Sequence, residues 1–151
     1  MKDLNDADSA RQAWMGLLAK APRGRAAALL DACLTRPAFD WLRQPEVGSV
    51  MVRGRTGGTG APFNLGEMSV TRASVQLDGG VVGHAYIQGR DKRDAETAAV
   101  IDALMQTDMA SHVQKAVLTP LADEIAARKA ARAQKAAATK VDFFTLARGE
   151  D

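Results

Sequence analysis

The stretch that decides the fold runs from Val52 to Glu96, VRGRTGGTGAPFNLGEMSVTRASVQLDGGVVGHAYIQGRDKRDAE. Glu67 to Leu77 and Val81 to Gln88 are rich in Val, Thr, Ile and Tyr and flank Asp78-Gly79-Gly80, a turn sequence that closes hairpins because glycine accepts positive φ. Met68 and Val70 share one parity while Ala73, Val75 and Leu77 share the other, which predicts a bulge near Thr71 or Arg72. A bulge there re-aims Arg72; the alternative is an arginine on the solvated face.

On either side of this hairpin lie a loop and a helix start. Thr56 to Pro62, TGGTGAP, places Gly57, Gly58 and Gly60 in one loop whose amides are able to face a phosphate. It lacks the Lys-Ser/Thr ending of a phosphate loop and does not match Gly-x-Gly-x-x-Gly, so a flexible or partner-ordered connection is the competing reading. Gly89-Arg90-Asp91-Lys92 falls where period two gives way to period 3.6, with Asp91 as N-cap and Asp94 three residues on. Arg90 and Lys92 add positive charge to a helix N-terminus that attracts anions, but Asp91 and Asp94 already fill that role. Arg72, Arg90, Lys92, Gly57, Gly58 and Gly60 are therefore the candidate anion-binding residues, each beside a purely structural alternative.

Working outward, Ser9-Ala10-Arg11-Gln12 has the spacing of a capping box and predicts a helix start there. Trp14, Leu17, Leu18 and Ala21 form its buried stripe, and Pro22 ends it. A second stripe, Ala26, Leu29, Leu30 and Cys33, assigns Cys33 to the core. Phe39, Trp41 and Leu42 read as a short strand, with Pro45-Glu46-Val47-Gly48 as a turn into Ser49 to Arg55. Downstream, Ala98, Ile101, Leu104 and Met105 line one helix face. After a polar interruption from Thr107 to His112, Thr119-Pro120 opens a long helix that becomes basic through Arg128, Lys129, Arg132 and Lys135. The expected architecture is α+β: a four-stranded antiparallel β-meander over about 38–89, packed with N-terminal helices and a C-terminal helical region.

The 151 residues fit one domain, 1–151, and a chain of this size hides roughly two thirds of its unfolded surface on folding. Twenty basic against 18 acidic residues leave a charge of only +2, too small to make nucleic acid the default partner. A single cysteine excludes an internal disulfide. Met1 to Asp8 lacks the basic start and apolar run of an export signal, and no apolar stretch approaches the length of a membrane span, so a cytoplasmic protein without membrane association is expected. The segment from about 120 to 151 ends in Val141, Phe143, Phe144 and Leu146 after an exposed basic helix, a pattern suited to docking on the protein's own core or on another subunit.

Catalytic chemistry is scarce. His84, His112 and Cys33 carry no His-x-x-x-His or His-Glu-x-x-His spacing and no nucleophile elbow, so no metal site and no complete active site are expected in this chain. His84, mid-strand, reads as a hydrogen-bonded structural residue.

The sequence resembles the G subunit (PhnG) family of the bacterial carbon-phosphorus lyase system. The resemblance rests on Arg11-Gln12-Ala13-Trp14-Met15, Gly57-Gly58-Thr59-Gly60, Leu65-Gly66 with Thr71-Arg72-Ala73, and Gln88-Gly89-Arg90-Asp91-Lys92. Ala95-Glu96, Ile101-Asp102-Ala103-Leu104-Met105-Gln106 and Val141-Asp142-Phe143-Phe144 with Arg148-Gly149 complete the ordered set. It implies an accessory subunit of a complex that transfers the ribose triphosphate of ATP to methylphosphonate, yielding alpha-D-ribose 1-methylphosphonate 5-triphosphate and adenine in organophosphonate catabolism. The implied partners are PhnI most directly, PhnH and PhnJ in a core complex, and the ATPase-like PhnL and PhnK. ATP and methylphosphonate are substrates of the complex, and no cofactor is expected on this chain. The family assigns nucleosidase activity to the I subunit and radical carbon-phosphorus cleavage to J, and carries no catalytic residue onto any position here. Two other classes stand beside this reading: a free-standing anion- or nucleic-acid-binding module, and an independent enzyme.

Overall fold

Residues 2–140 are described by the structure, a computed structural model, with side chains from residue 7 onward. Two helices, α1 (Lys2–Leu18) and α2 (Arg25–Cys33), precede three strands, β1 (Phe39–Arg55), β2 (Pro62–Leu77) and β3 (Val82–Gln88). Helices α3 (Lys92–Leu104), α4 (Ala110–Val113) and α5 (Thr119–Ala138) follow, with a π-helical turn, Gln114–Leu118, between the last two. The class is α+β, as expected, and the sheet is an antiparallel meander in the order β1-β2-β3.

It has three strands where four were expected. Pro45-Glu46-Val47-Gly48 does not turn the chain; it is absorbed into a single 17-residue strand through register shifts between Trp41 and Arg43 and between Arg43 and Glu46. β1 is an edge strand, where the missing proline N–H breaks no ladder and an extra residue is accommodated as a bulge. The bulge expected in β2 near Thr71 or Arg72 is likewise absent, because β2 pairs without interruption from Val70↔Gln88 to Gln76↔Val82. The slip in alternation marks a change of environment instead. Thr71, Ala73, Val75 and Leu77 face the core, whereas Met68, Val70 and Arg72 lie on the opposite face.

The core lies between that inner sheet face and α3, which is buried nearly all round from Ala95 to Leu104. Alanines at 95, 98, 99 and 103 let the sheet come close on one side, while Leu18 of α1, Leu30 of α2 and Val113, Val117, Leu118 and Leu121 complete the cluster. The closest approach is at Gly83, where an added Cβ would lie 2.0 Å from the Ala99 carbonyl oxygen and 2.7 Å from the Ala103 nitrogen. Gly83 therefore sets the distance between β3 and α3.

One member of this packed helix is charged. Asp102 is fully buried and accepts four hydrogen bonds, from Arg11 Nε (3.1 Å) and Nη2 (2.7 Å), Trp14 Nε1 (2.8 Å) and the backbone N–H of His84 (2.8 Å). The carboxylate joins α1, α3 and β3 at one point, and its bidentate geometry with Arg11 is the strong form of such a pair. Gln106, one turn on, donates to the Val82 and Asp102 carbonyls, both at 2.9 Å.

Two helix starts differ from expectation. α1 begins at Lys2, so Ser9 and Gln12 sit inside it and form no capping box. Helical backbone also begins at Ala110, well before Pro120. The π-turn lies immediately upstream of Thr119-Pro120, where a proline would otherwise clash with the carbonyl four residues back.

Asp102→Ala leaves the Arg11, Trp14 and His84 donors without their acceptor and is expected to cost about 3–5 kcal/mol. Gly83→Ala forces β3 off α3 and is expected to cost at least about 1–3 kcal/mol. Urea denaturation of each variant checks both, and a Gly83→Ala protein of parental stability would contradict the close packing described.

Candidate functional site

Two of the sequence-predicted cations, Arg90 and Lys92, lie at the start of α3. Asp91 caps this helix, accepting from the backbone N–H groups of Arg93 (2.9 Å) and Asp94 (3.1 Å), as its position before the apolar stripe predicts. Its other oxygen accepts from Arg23 Nε at 2.6 Å. Asp94 turns toward α2 and accepts from the backbone N–H of Gly24 at 3.0 and 3.1 Å. Gly24 has φ 71°, a left-handed conformation that brings its amide into the turn before α2. The connection between α1 and α2 is thus tied to the head of α3.

Two shallow cavities flank this tie. One, of about 300 Å³, is lined by Ala21, Arg23, Gln88, Gly89, Arg90, Asp91 and Asp94. The other, of about 310 Å³, opens on the far side of Asp91 and Asp94 toward Arg36, Arg93 and Glu96. Arg36 is paired with Asp31 (2.6 Å) and Glu96 (3.6 Å), so carboxylates and guanidinium groups alternate around the cleft. Two of the backbone N–H groups that would meet an anion at this terminus, those of Arg93 and Asp94, are already engaged by Asp91.

The two aspartates differ electrostatically. Hydrogen bonds from the Asp94 N–H, and then from Arg23 and the Arg93 N–H, hold the Asp91 carboxyl below its ordinary range. Burial pushes Asp94 up, against the opposing pull of the Gly24 N–H. Pairs separated in this way are a feature of acid-base sites, but here hydrogen bonds account for the lowering of Asp91 and burial for the raising of Asp94.

The remaining predicted residues lie elsewhere. Arg72 stands on the outer sheet face with its Nε 2.6 Å from Glu46 Oε1, and Glu46 also accepts from Arg43, so its carboxyl is held low by Arg43 first and Arg72 second. A recess of about 260 Å³ beside it is lined by Glu46, Val47, Gly48, Ser49, Val70, Arg72 and Tyr86. Gly57, Gly58 and Gly60 form the tip of the β1–β2 hairpin, with Gly57 and Gly58 at φ 60° and 85° and the Gly60 carbonyl accepting from Arg55 at 3.2 Å. Ten residues of extended β2 separate Pro62 from Arg72, about 30 Å at about 3.3 Å per residue, so the glycines and Arg72 do not converge.

Neither histidine is free of a structural tie: His84 Nδ1 lies 2.8 Å from Ser74 Oγ across the sheet, and His112 Nε2 lies 3.2 Å from the Cys33 carbonyl. Cys33 Sγ donates to the Leu30 carbonyl at 3.3 Å and packs against the core. Among the described residues, no group of three or more His, Cys, Asp or Glu is placed to hold a metal ion, and no helix is long and apolar enough to cross a membrane. Val141, Phe143, Phe144 and Leu146 lie outside the described residues. Sequence reasoning missed Arg23 and the Gly24–Asp94 tie; the signal was Pro22-Arg23-Gly24, whose turn chemistry indicates a bend without naming what it meets.

Asp91 favours its ionised form in the fold, so its stabilisation is complete above the unfolded carboxylate value and is lost as pH falls through the depressed folded value. Asp94 has the opposite sign, and lowering the pH through its raised value relieves a penalty. Asp91→Ala is expected to lose about 1 kcal/mol at neutral pH, while Asp94→Asn, which keeps an acceptor for Gly24, is expected to stay within about 0.5 kcal/mol of the parent. Urea titrations at about pH 7 and about pH 4 read both; equal neutral stability of Asp91→Ala and the parent would contradict the cap.

Comparison with known proteins bears directly on this site. The family described as "Phosphonate metabolism protein PhnG" matches residues 9–149. The chain is 47% identical over 145 residues to the alpha-D-ribose 1-methylphosphonate 5-triphosphate synthase subunit PhnG of Rhizobium meliloti (strain 1021), an alignment covering 93% of this chain and 90% of that relative. The matched range, residues 9–149, spans Asp102 and the head of α3. The chain belongs to the PhnG family of phosphonate metabolism proteins.

Proposed function

We propose that this chain is an accessory subunit of a carbon-phosphorus lyase core complex, required for transfer of the ribose triphosphate moiety of ATP to methylphosphonate with release of adenine. PhnI is its most direct partner in this reading, with PhnH and PhnJ in the core and PhnL and PhnK as ATPase-like associates in the cytoplasm. ATP and methylphosphonate are substrates of the assembly, and the reacting groups belong to other subunits.

The observation that carries the reading is how the polar residues of the family-like segments are used. Arg11 and Trp14 serve Asp102, Gln106 serves two backbone carbonyls, and Asp91 serves the head of α3. Each holds the fold together, as expected of a subunit that contributes surface rather than chemistry. The relative's name, a synthase subunit, supports the same conclusion.

Docking falls to the segment from about 120 to 151. Beyond Ile125, α5 is exposed and carries Arg128, Lys129, Arg132 and Lys135, and the sequence has no acid from Ile125 through Lys140. The helix presents positive charge to an acidic partner surface, with the apolar Val141–Leu146 segment following it. Arg72, Arg90, Lys92 and the glycine tip act in this reading as separate anion or subunit contacts rather than as one pocket. Reconstitution tests the proposal: this chain with the H, I and L subunits, ATP and methylphosphonate releases adenine, omission of this chain abolishes release, and the isolated chain releases none. Turnover by the isolated chain, or undiminished turnover without it, would overturn the reading.

A further inference from the structure

β3 pairs with β2 only from Val70 to Gln76, and Gly89 closes the third strand with its N–H donating to the Ser69 carbonyl at 2.8 Å. Beyond that point β1 and β2 continue as a two-stranded arm, Ser49–Arg55 against Pro62–Ser69, in which no residue is buried. An isolated two-stranded ribbon is marginal in water at best, and this one carries most of its apolar side chains on one face, open to water. Val50 and Met68 pair on one face, where the Phe63 ring lies over Gly54. Leu65, the extra residue where β2 shifts register, lies on the Gly54 side and is 66% exposed, while the other face sets Met51, 51% exposed, among Ser49, Arg53, Asn64 and Glu67.

The edge of β1 is treated unequally along its length. Beside the body of the fold it carries Pro45, the charged residues Arg43 and Glu46 and two register shifts, the devices by which proteins block unwanted strand pairing. Along the arm, β1 has an uncharged run with no register shift only as far as Val52; one shift follows at Val52/Arg53, with Arg53 and Arg55 beyond it. The least guarded part of the edge is therefore the base of the arm, from Ser49 to Val52.

We propose that the β1–β2 arm inserts into an apolar cleft with an acidic floor on another subunit of the assembly, a reading that rests on the function proposed above. Area and charge both select this occupant. One face of the arm measures about 24 by about 10 Å, or about 240 Å², so only burial of both faces and the edges approaches the about 800 Å² per partner of a stable interface. Side-by-side pairing with a second copy leaves most of both faces in water. The outer part of the arm, Val52 to Gly66, contains Arg53 and Arg55 and no acid, with Glu67 at the base beside Ser49, which sets the sign of the cleft floor.

The test uses the full chain co-expressed with the H, I and J subunits of the same organism. A photo-reactive amino acid at Leu65 is expected to cross-link to another subunit at a site bordered by apolar and acidic residues, while the same label at Asp78, in the exposed β2–β3 turn, does not. The double variant Phe63→Ser/Leu65→Glu, which alters only exposed side chains and is expected to melt at the parental temperature, should weaken co-purification at least tenfold. Intact co-purification by the double variant, or a Leu65 cross-link joining two copies of this chain, overturns the arm proposal while leaving the assembly reading standing. Failure of the unaltered chain to co-purify with any subunit overturns the assembly reading and the arm proposal with it.

Discussion

The buried carboxylate of Asp102 is the constraint on which the rest of the structure depends. An ionised group inside a packed helix is tolerated only when its lone pairs are met, and here a guanidinium, an indole N–H and a strand amide meet them. Those donors come from α1 and β3, so satisfying one residue of α3 determines where the other two elements lie. An apolar residue at the same place would fill the space equally well but would not orient α1, whose remaining contact with the core is apolar, through Trp14, Leu17 and Leu18. The charge gives the fold direction where the hydrophobic effect gives only cohesion.

Around that point the packing is close because the side chains are small. α3 presents alanines to a sheet whose inner face includes Ala73 and Ala85, and Gly83 removes the last obstacle between strand and helix. The Thr97 hydroxyl is the one described buried side-chain polar atom without a hydrogen-bond partner. The low aromatic content, 5% of residues, is consistent with a core closed by approach of backbones rather than by filling with large rings.

The parts legible in the sequence were those governed by local rules. Asp78-Gly79-Gly80 turns the chain, Asp91 caps α3, and the stripe from Ala26 to Cys33 faces the core, because each depends on neighbours within one turn or one strand pair. Pro45 misled because the same residue that ends a central strand is harmless on an edge, and the position of an edge is a property of the whole sheet. Ser9 misled because a capping box is also an ordinary helical sequence when the helix begins upstream. Asp102 was hidden for a related reason: within an apolar stripe an aspartate reads as the solvent side, and its partners His84, Trp14 and Arg11 lie 18, 88 and 91 residues away. The candidate site suffered likewise. Arg72, Arg90, Lys92 and the glycines are neighbours in sequence, yet a strand of 16 residues holds the tip and the sheet centre far apart.

The π-turn from Gln114 to Leu118 has a consequence for everything after it. Such a turn is equivalent to one residue inserted into an α-helix, and one residue is about 100° of rotation. Its presence therefore determines the compass bearing at which Arg128, Lys129, Arg132 and Lys135 leave the body of the protein. A single-residue deletion between Gln114 and Leu118 would leave the composition of the cationic helix unchanged and swing its charges through more than a quarter of a circle, so that a surface chemically intact would point the wrong way.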